Sequence, residues 1–129
     1  MMRKCVYRPT YILLLVLGMG ATASAETTVP KETWAKSMRD ILPAAIYRDG
    51  WYFRSCFEIT ASECHAAATT STATCLQQYD AQIPQELRQP NDGRLWGDMV
   101  GTCAGTMVEA TLAAKRISSE KCNDPAAWK

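Results

Sequence analysis

The stretch Leu95–Ile117, LWGDMVGTCAGTMVEATLAAKRI, decides the fold class, because at a helical period it is apolar on almost every side. One broad face carries its bulky side chains, together with small apolar ones: Leu95, Trp96, Met99, Val100, Cys103, Met107, Ala110, Ala114 and Ile117. A second face carries Gly97, Gly101 and Gly105, which recur every fourth residue. We therefore expect a central helix capped by Asp92, with the bulky face in the main core and a second helix packed closely on the glycine face.

The first 25 residues have the form of a secretory signal peptide. Basic residues precede a short apolar run over 11–19, and Ala23-Ser24-Ala25 supplies the small-x-small pattern of a cleavage site. We predict cleavage after Ala25, with Ala23 as the competing site. An uncleaved anchor is disfavoured because the run is too short to span a bilayer. The sequence thus predicts a cleaved segment 1–25 and a single helical domain 26–129, located in the periplasm or secreted.

The charge of the mature region argues against nucleic acid and membranes as partners. Without the three basic residues of the signal segment, eleven basic and thirteen acidic residues remain, which gives a net charge of −2. The charges are interspersed, so there is no basic patch for nucleic acid or anionic membrane. We expect no stable membrane insertion once the signal peptide is removed.

Five cysteines remain after cleavage, namely Cys56, Cys64, Cys75, Cys103 and Cys122. In an exported protein this density predicts disulfide bonds, and five residues allow two bridges and one unpaired thiol. The helical faces favour a bridge from Cys64 or Cys75 to Cys103. They also favour a tie between an outer segment and the core through Cys56 or Cys122.

The segments before the central stretch predict further helices. An amphipathic pattern begins near Lys31, with a kink or a break expected at Leu42 because Pro43 follows it. A short helix capped by Asp49 is expected next, because the aromatic run after it has no partner strand elsewhere in the chain. The tryptophans at 34, 51 and 96 occupy core-like positions.

A capping box at Thr60 and Glu63 predicts a helix from Ala61 to Tyr79, with a break at Ser71 as the alternative. The small face of this helix is expected to pack on the glycine row. Proline and glycine then predict a loop over 80–93. The resulting fold is all-α, a small disulfide-stapled bundle of three to five helices.

Catalytic and metal-binding patterns are not complete in this sequence. His65 is the only histidine, and it points about 100° away from its helical neighbour Cys64, so the two do not form a dyad. The c-type haem motif fails because Ala61 stands where its first cysteine belongs. The cysteine spacings are too wide for a zinc site. We therefore expect no enzyme activity, no cofactor and no bound metal.

The function predicted from these patterns is binding. We expect an exported protein that inhibits or sequesters a protein partner, in the manner of an immunity protein. The exposed polar loop supplies the candidate contact residues: Gln85, Glu86, Arg88, Asp92 and Arg94. Two alternatives remain, an accessory subunit of an envelope secretion or conjugation assembly, and a small hydrolase that uses His65.

Overall fold

A computed structural model describes residues 25–129, and the predicted signal segment lies almost wholly outside these described residues. Four α-helices dominate the described chain, which confirms the predicted small helical domain with two disulfides. Their bounds are α1, Lys31–Ile46; α2, Tyr52–Cys56; α3, Ala61–Tyr79; and α4, Asn91–Thr111. Short 3₁₀ turns follow at Ala113–Lys115 and Pro125–Trp128.

A two-stranded antiparallel sheet accompanies the helices, which the sequence did not predict. Strand β1, Thr27–Pro30, pairs with β2, Glu86–Gln89, in a register that places Val29 opposite Leu87. The expected loop over 80–93 therefore contains a strand. Leu87 has no exposed surface, so the inward side of this strand belongs to the core. An isolated bridge also joins Phe57 to Arg116.

Helix α1 does not break where proline was expected to break it. It runs through Pro43 to Ile46, and the Tyr47 amide donates to the Pro43 carbonyl at 3.4 Å. Pro43 and Ile46 are both buried, and we attribute the persistence of the last turn to this packing, which offsets the amide donor that proline lacks. Trp34 and Met38 extend the buried stripe toward the start of the helix.

Helix α3 begins as predicted and is continuous. The Thr60 hydroxyl accepts the Glu63 amide at 3.1 Å, and the Thr60 amide donates to the Glu63 carboxylate at 2.7 Å. The alternative break at Ser71 is absent, because Ser71 and Thr72 are buried in the middle of the helix rather than exposed at an end. The short helix α2 was also predicted, but Asp49 does not cap it. Asp49 instead forms an ion pair with Arg54.

Helix α4 starts earlier and buries less than the sequence predicted. Asp92 lies in its first turn rather than at the N-cap, which is Pro90. Only Val100, Ala104 and Val108 are fully buried, on a stripe between the two predicted faces. The expected bulky core face is half-exposed, since Leu95 keeps 54% of its surface accessible. The helix therefore packs against the rest of the domain along one narrow stripe.

Candidate functional site

A cleft of about 540 Å³ lies beside the C-terminal half of α4. Its walls come from the end of α1, from α2 and from the C-terminal tail, and the glycine face of α4 forms its floor. Most of its lining is apolar or aromatic. The lining includes Leu42, Trp51, Tyr52, Gly105, Glu109, Arg116 and Trp128. A mostly apolar cleft with a few convergent polar groups is the usual form of a ligand site.

The glycine face is open, contrary to the expected close helix contact. A Cβ atom added at Gly97 or Gly105 would meet no other heavy atom within 4 Å. At Gly101 it would meet only Leu42 Cδ1, at 3.9 Å. Helix α3 packs elsewhere on α4, because the Cys75–Cys103 bond and the buried Val100 stripe draw it to another face. Gly101 and Gly105 therefore floor the cleft, where the one neighbouring side chain of residues 25–129 within 4 Å of an added Cβ is Leu42 of α1.

Three polar side chains meet at one end of the cleft. The Tyr52 hydroxyl donates to Glu109 Oε1 at 2.8 Å and accepts from Arg116 Nε at 3.0 Å. Burial of the phenol raises the pKa of Tyr52, an effect that the hydrogen bond from Arg116 opposes in part. Arg116 also donates to Asn123 Oδ1 at 3.1 Å and to the Cys122 carbonyl at 2.8 Å. This network fixes the tail against α2 and α4.

This network was not predicted from the sequence, and neither Glu109 nor Arg116 was among the candidate site residues. Their charges within the largely apolar stretch Leu95–Ile117 were the available signal. Tyr52 offered none, because it comes from a distant segment of the chain.

A disulfide bond holds the tail wall in place. Cys56 of α2 is bonded to Cys122, and Cys75 is bonded to Cys103, so each pair falls within the options that the sequence left open.

Cys64 is the unpaired cysteine of residues 25–129. It is fully buried, and burial raises the pKa of its thiol. A protonated, inaccessible thiol is a poor nucleophile.

His65 lies apart from any catalytic partner. It is exposed on the first turns of α3, where it borders a shallow depression lined by Pro43, Ala44, Tyr47, Ala61 and Ser62. No carboxylate or thiol is among these residues, and the Ser62 hydroxyl forms no hydrogen bond with His65 within the described chain. The geometry thus gives His65 neither an activated nucleophile nor an orienting carboxylate. Within residues 25–129, no group of three or more histidine, cysteine or acidic residues is arranged to hold a metal ion.

Four of the five expected contact residues lie on regular elements rather than on a loop, Glu86 and Arg88 on β2 and Asp92 and Arg94 at the start of α4, and Gln85 lies in the bend just before β2. The Asp92 carboxylate accepts the Arg88 amide at 2.8 Å and pairs with its guanidinium, and the pKa of Asp92 is lowered mainly by that pairing. Arg88 and Asp92 are thus already bonded to each other. Gln85, Glu86 and Arg94 are exposed, and the Gln85 carbonyl accepts the Lys31 amide at 2.8 Å.

Comparison with known protein families gives a match that covers most of the chain. Residues 28–116 match the family model described as "NttA: T2SS substrate NttA", where T2SS denotes the type II secretion system. Comparison with curated proteins and comparison with solved structures gave no match. Between Ala25 and Lys129 no helix is both long enough and apolar enough to cross a membrane. The matched region contains α1 to α4 and both strands almost completely, and the chain belongs to the family of the T2SS substrate NttA.

Proposed function

We propose that this protein is an exported, non-catalytic binding protein whose ligand occupies the cleft beside α4. Family membership supports export from the cytoplasm. The observation that carries the binding proposal is the cleft itself, which is mostly apolar, open and floored by Gly101 and Gly105, the second of which has open space beside it. A soluble domain that leaves such a surface uncovered loses the favourable free energy of burying it, so an exposed apolar surface of this kind marks a site of interaction.

Binding fits the site better than catalysis does. The polar end of the cleft holds a tyrosine, a glutamate and an arginine that satisfy one another. Arg116 is committed through all three of its nitrogens, and Glu109 Oε1 already accepts a hydrogen bond. No nucleophile stands next to these groups, and a general base needs a proton to abstract within hydrogen-bond reach. The network therefore shapes and rigidifies the cleft.

A protein partner at the corner of β2 and α4 is a separate proposal with less support. That corner carries exposed Glu86 and Arg94, but Arg88 and Asp92 are engaged with each other. Inhibition of a hydrolase or toxin has no structural feature in its favour, so the proposal is confined to binding.

The test fills the cleft without disturbing the fold. Gly105→Leu places a side chain on the cleft floor where an added Cβ meets nothing, and Gly97→Leu makes the same change about two helical turns earlier, outside the cleft lining. The neutral apolar dye N-phenyl-1-naphthylamine should gain fluorescence with the wild-type protein and with Gly97→Leu. It should bind Gly105→Leu at least about tenfold more weakly. Equal binding by all three proteins would refute the cleft as the ligand site.

A further inference from the structure

Two tryptophan side chains in the cleft walls each carry a basic group. The Arg48 guanidinium lies 3.8 Å from the ring centroid of Trp51, and the Lys121 ammonium lies 4.5 Å from that of Trp128. Both basic residues are exposed, and neither forms an ion pair with a carboxylate of residues 25–129. Trp51 itself is 48% exposed. The aromatic walls of the cleft therefore bear two positive charges that no carboxylate neutralises.

Three carboxylates on the elements around the cleft are engaged within the protein. Glu109 accepts from Tyr52 and lies 4.0 Å from Arg116 Nε. Asp49 is paired with Arg54, and Asp124 accepts the Ala126 amide at the start of the last turn. A ligand that reaches the rim of the cleft thus meets two cations without a carboxylate partner, and the carboxylates of Glu109, Asp49 and Asp124 are already bonded. Glu120, next to Lys121, is the exposed acidic residue of the tail that stays unpaired within residues 25–129. Charge complementarity favours a negatively charged group on the ligand.

The size of the cleft favours a small amphiphile over a protein segment. A volume of about 540 Å³ falls within the range of pockets that hold small ligands, roughly 300–1,000 Å³. A stable protein interface buries a wider surface, about 800 Å² on each partner. Tryptophan beside lysine or arginine is also the combination that proteins place at the boundary between hydrocarbon and water.

We propose that the cleft binds an anionic lipid. One acyl chain lies against the glycine floor, and the negatively charged headgroup pairs with Arg48 and Lys121 at the rim. This inference rests on the proposed binding function, and it adds the chemical class of the ligand. The apolar lining supplies affinity through the chain, because each buried methylene contributes favourably, and the two cations supply the preference for headgroup charge.

The experiment compares three ligands with the same twelve-carbon (dodecyl) chain and different headgroups. Dodecyl phosphate, dodecyl maltoside and dodecyltrimethylammonium are titrated below their micelle concentrations, with the fluorescence of Trp51 and Trp128 as the signal. Dodecyl phosphate should bind about tenfold more tightly than the neutral maltoside, and the cationic homologue should bind most weakly. The phosphate preference should shrink as ionic strength rises. Equal affinity of the anionic and cationic ligands would overturn the proposal.

Matched variants separate the headgroup site from the cleft. Arg48→Gln combined with Lys121→Gln should lose the roughly tenfold preference for phosphate while keeping the affinity for dodecyl maltoside. Lys36→Gln combined with Arg39→Gln makes the same change in net charge on the outer side of α1, away from the cleft lining, and should keep the preference. Loss of the preference in both double variants would indicate a nonspecific charge effect and would contradict the assigned site.

Two further measurements, one with lipid vesicles and one with a peptide, complete the test. Vesicles of phosphatidylcholine that contain an anionic phospholipid should retain the wild-type protein in a flotation assay, and pure phosphatidylcholine vesicles should not. An apolar helical peptide that binds the cleft more tightly than dodecyl phosphate would overturn the lipid assignment and favour a protein partner. Failure of all dodecyl ligands would also overturn it. The binding function would still stand if the neutral dye bound the wild-type protein and not Gly105→Leu.

Discussion

The two sides of α4 are built differently, one for packing in the core and one facing an open cleft. Toward α3, the helix buries Val100, Ala104 and Val108 completely and is bonded through Cys75–Cys103. Toward the tail, it presents Gly101 and Gly105 to an open cleft. That side is held by a disulfide, a polar network and a smaller cluster of buried residues, Cys56, Phe57 and Cys122. The larger core thus lies on one side of the helix, and the other side leaves a cleft open to solvent.

The test with the largest expected effect on stability removes a side chain from the packed core. Leu87 has no exposed surface, so Leu87→Ala should lower the free energy of unfolding by about 2–5 kcal/mol, through lost burial and the cavity left behind. Urea denaturation followed by circular dichroism measures this. The neighbouring exposed substitution Glu86→Ala should stay within about 0.5 kcal/mol.

On the cleft side, Trp51→Ala removes a larger side chain and should still cost only roughly 1 kcal/mol, because about half of that side chain remains in water. A decrease in the free energy of unfolding as large as that of Leu87→Ala would show that the two sides of α4 share one continuous core. The two sides would then not differ in packing.

The second test removes one disulfide from each side. Replacing Cys56 and Cys122 by serine should cost roughly 2–4 kcal/mol, because the bond closes a segment of 66 residues. The tail after Arg116 should then become the first site of limited proteolysis. The matched pair Cys75→Ser with Cys103→Ser should lose comparable stability and keep a protected tail. A tail that is protected in both double variants would mean that the polar network alone holds the cleft wall.

The third test concerns the cap that starts α3. Thr60→Ala removes the acceptor of the Glu63 amide and should lower the free energy of unfolding by about 1 kcal/mol. Hydrogen bonds from Thr60, first through its amide and then through its hydroxyl, hold the pKa of Glu63 below its ordinary value of 4.5. A lowered folded-state pKa contributes stability above pH 4.5, and that contribution is lost as the pH falls through the folded-state pKa.

Glu63→Gln should remove this acid-dependent part of the stability curve. Denaturation midpoints measured on both sides of pH 4.5 should therefore converge for the wild type and the variant at the acid end. Curves that run parallel over that range would contradict the capping-box contribution. The cleft lies on other elements, so its dye binding should be unchanged by either substitution.

The smallest expected effect is an increase in the free energy of unfolding. Gly105→Leu should raise the free energy of unfolding by about 0.5–1 kcal/mol, because glycine is a poor helix former and the added side chain meets open space. Thermal unfolding measures this, with Gly97→Leu expected to gain a similar amount. A loss of stability at position 105 would show that the cleft is closed in solution. A gain of stability with a loss of ligand binding would show that glycine is kept there for function.

The sequence by itself determined the features that local chemistry controls. The capping box at Thr60 fixed the start of α3, since both of its partners lie within four residues. The density of cysteines predicted two bridges, and helical periodicity identified the all-α class. Even the short helix after Gly50 followed from the absence of a partner for an aromatic run.

Tertiary structure decided the features that depend on distant segments. Pairing of β1 with β2 joins residues about sixty positions apart, so neither four-residue strand could be recognised alone. Burial of Pro43 kept α1 intact against its local preference. The glycine row could equally receive a helix or floor a cleft, and the position of α3 and of the disulfide-bound tail settled the choice. Periodicity reports which side chains share a face, whereas only the assembled chain determines what covers that face.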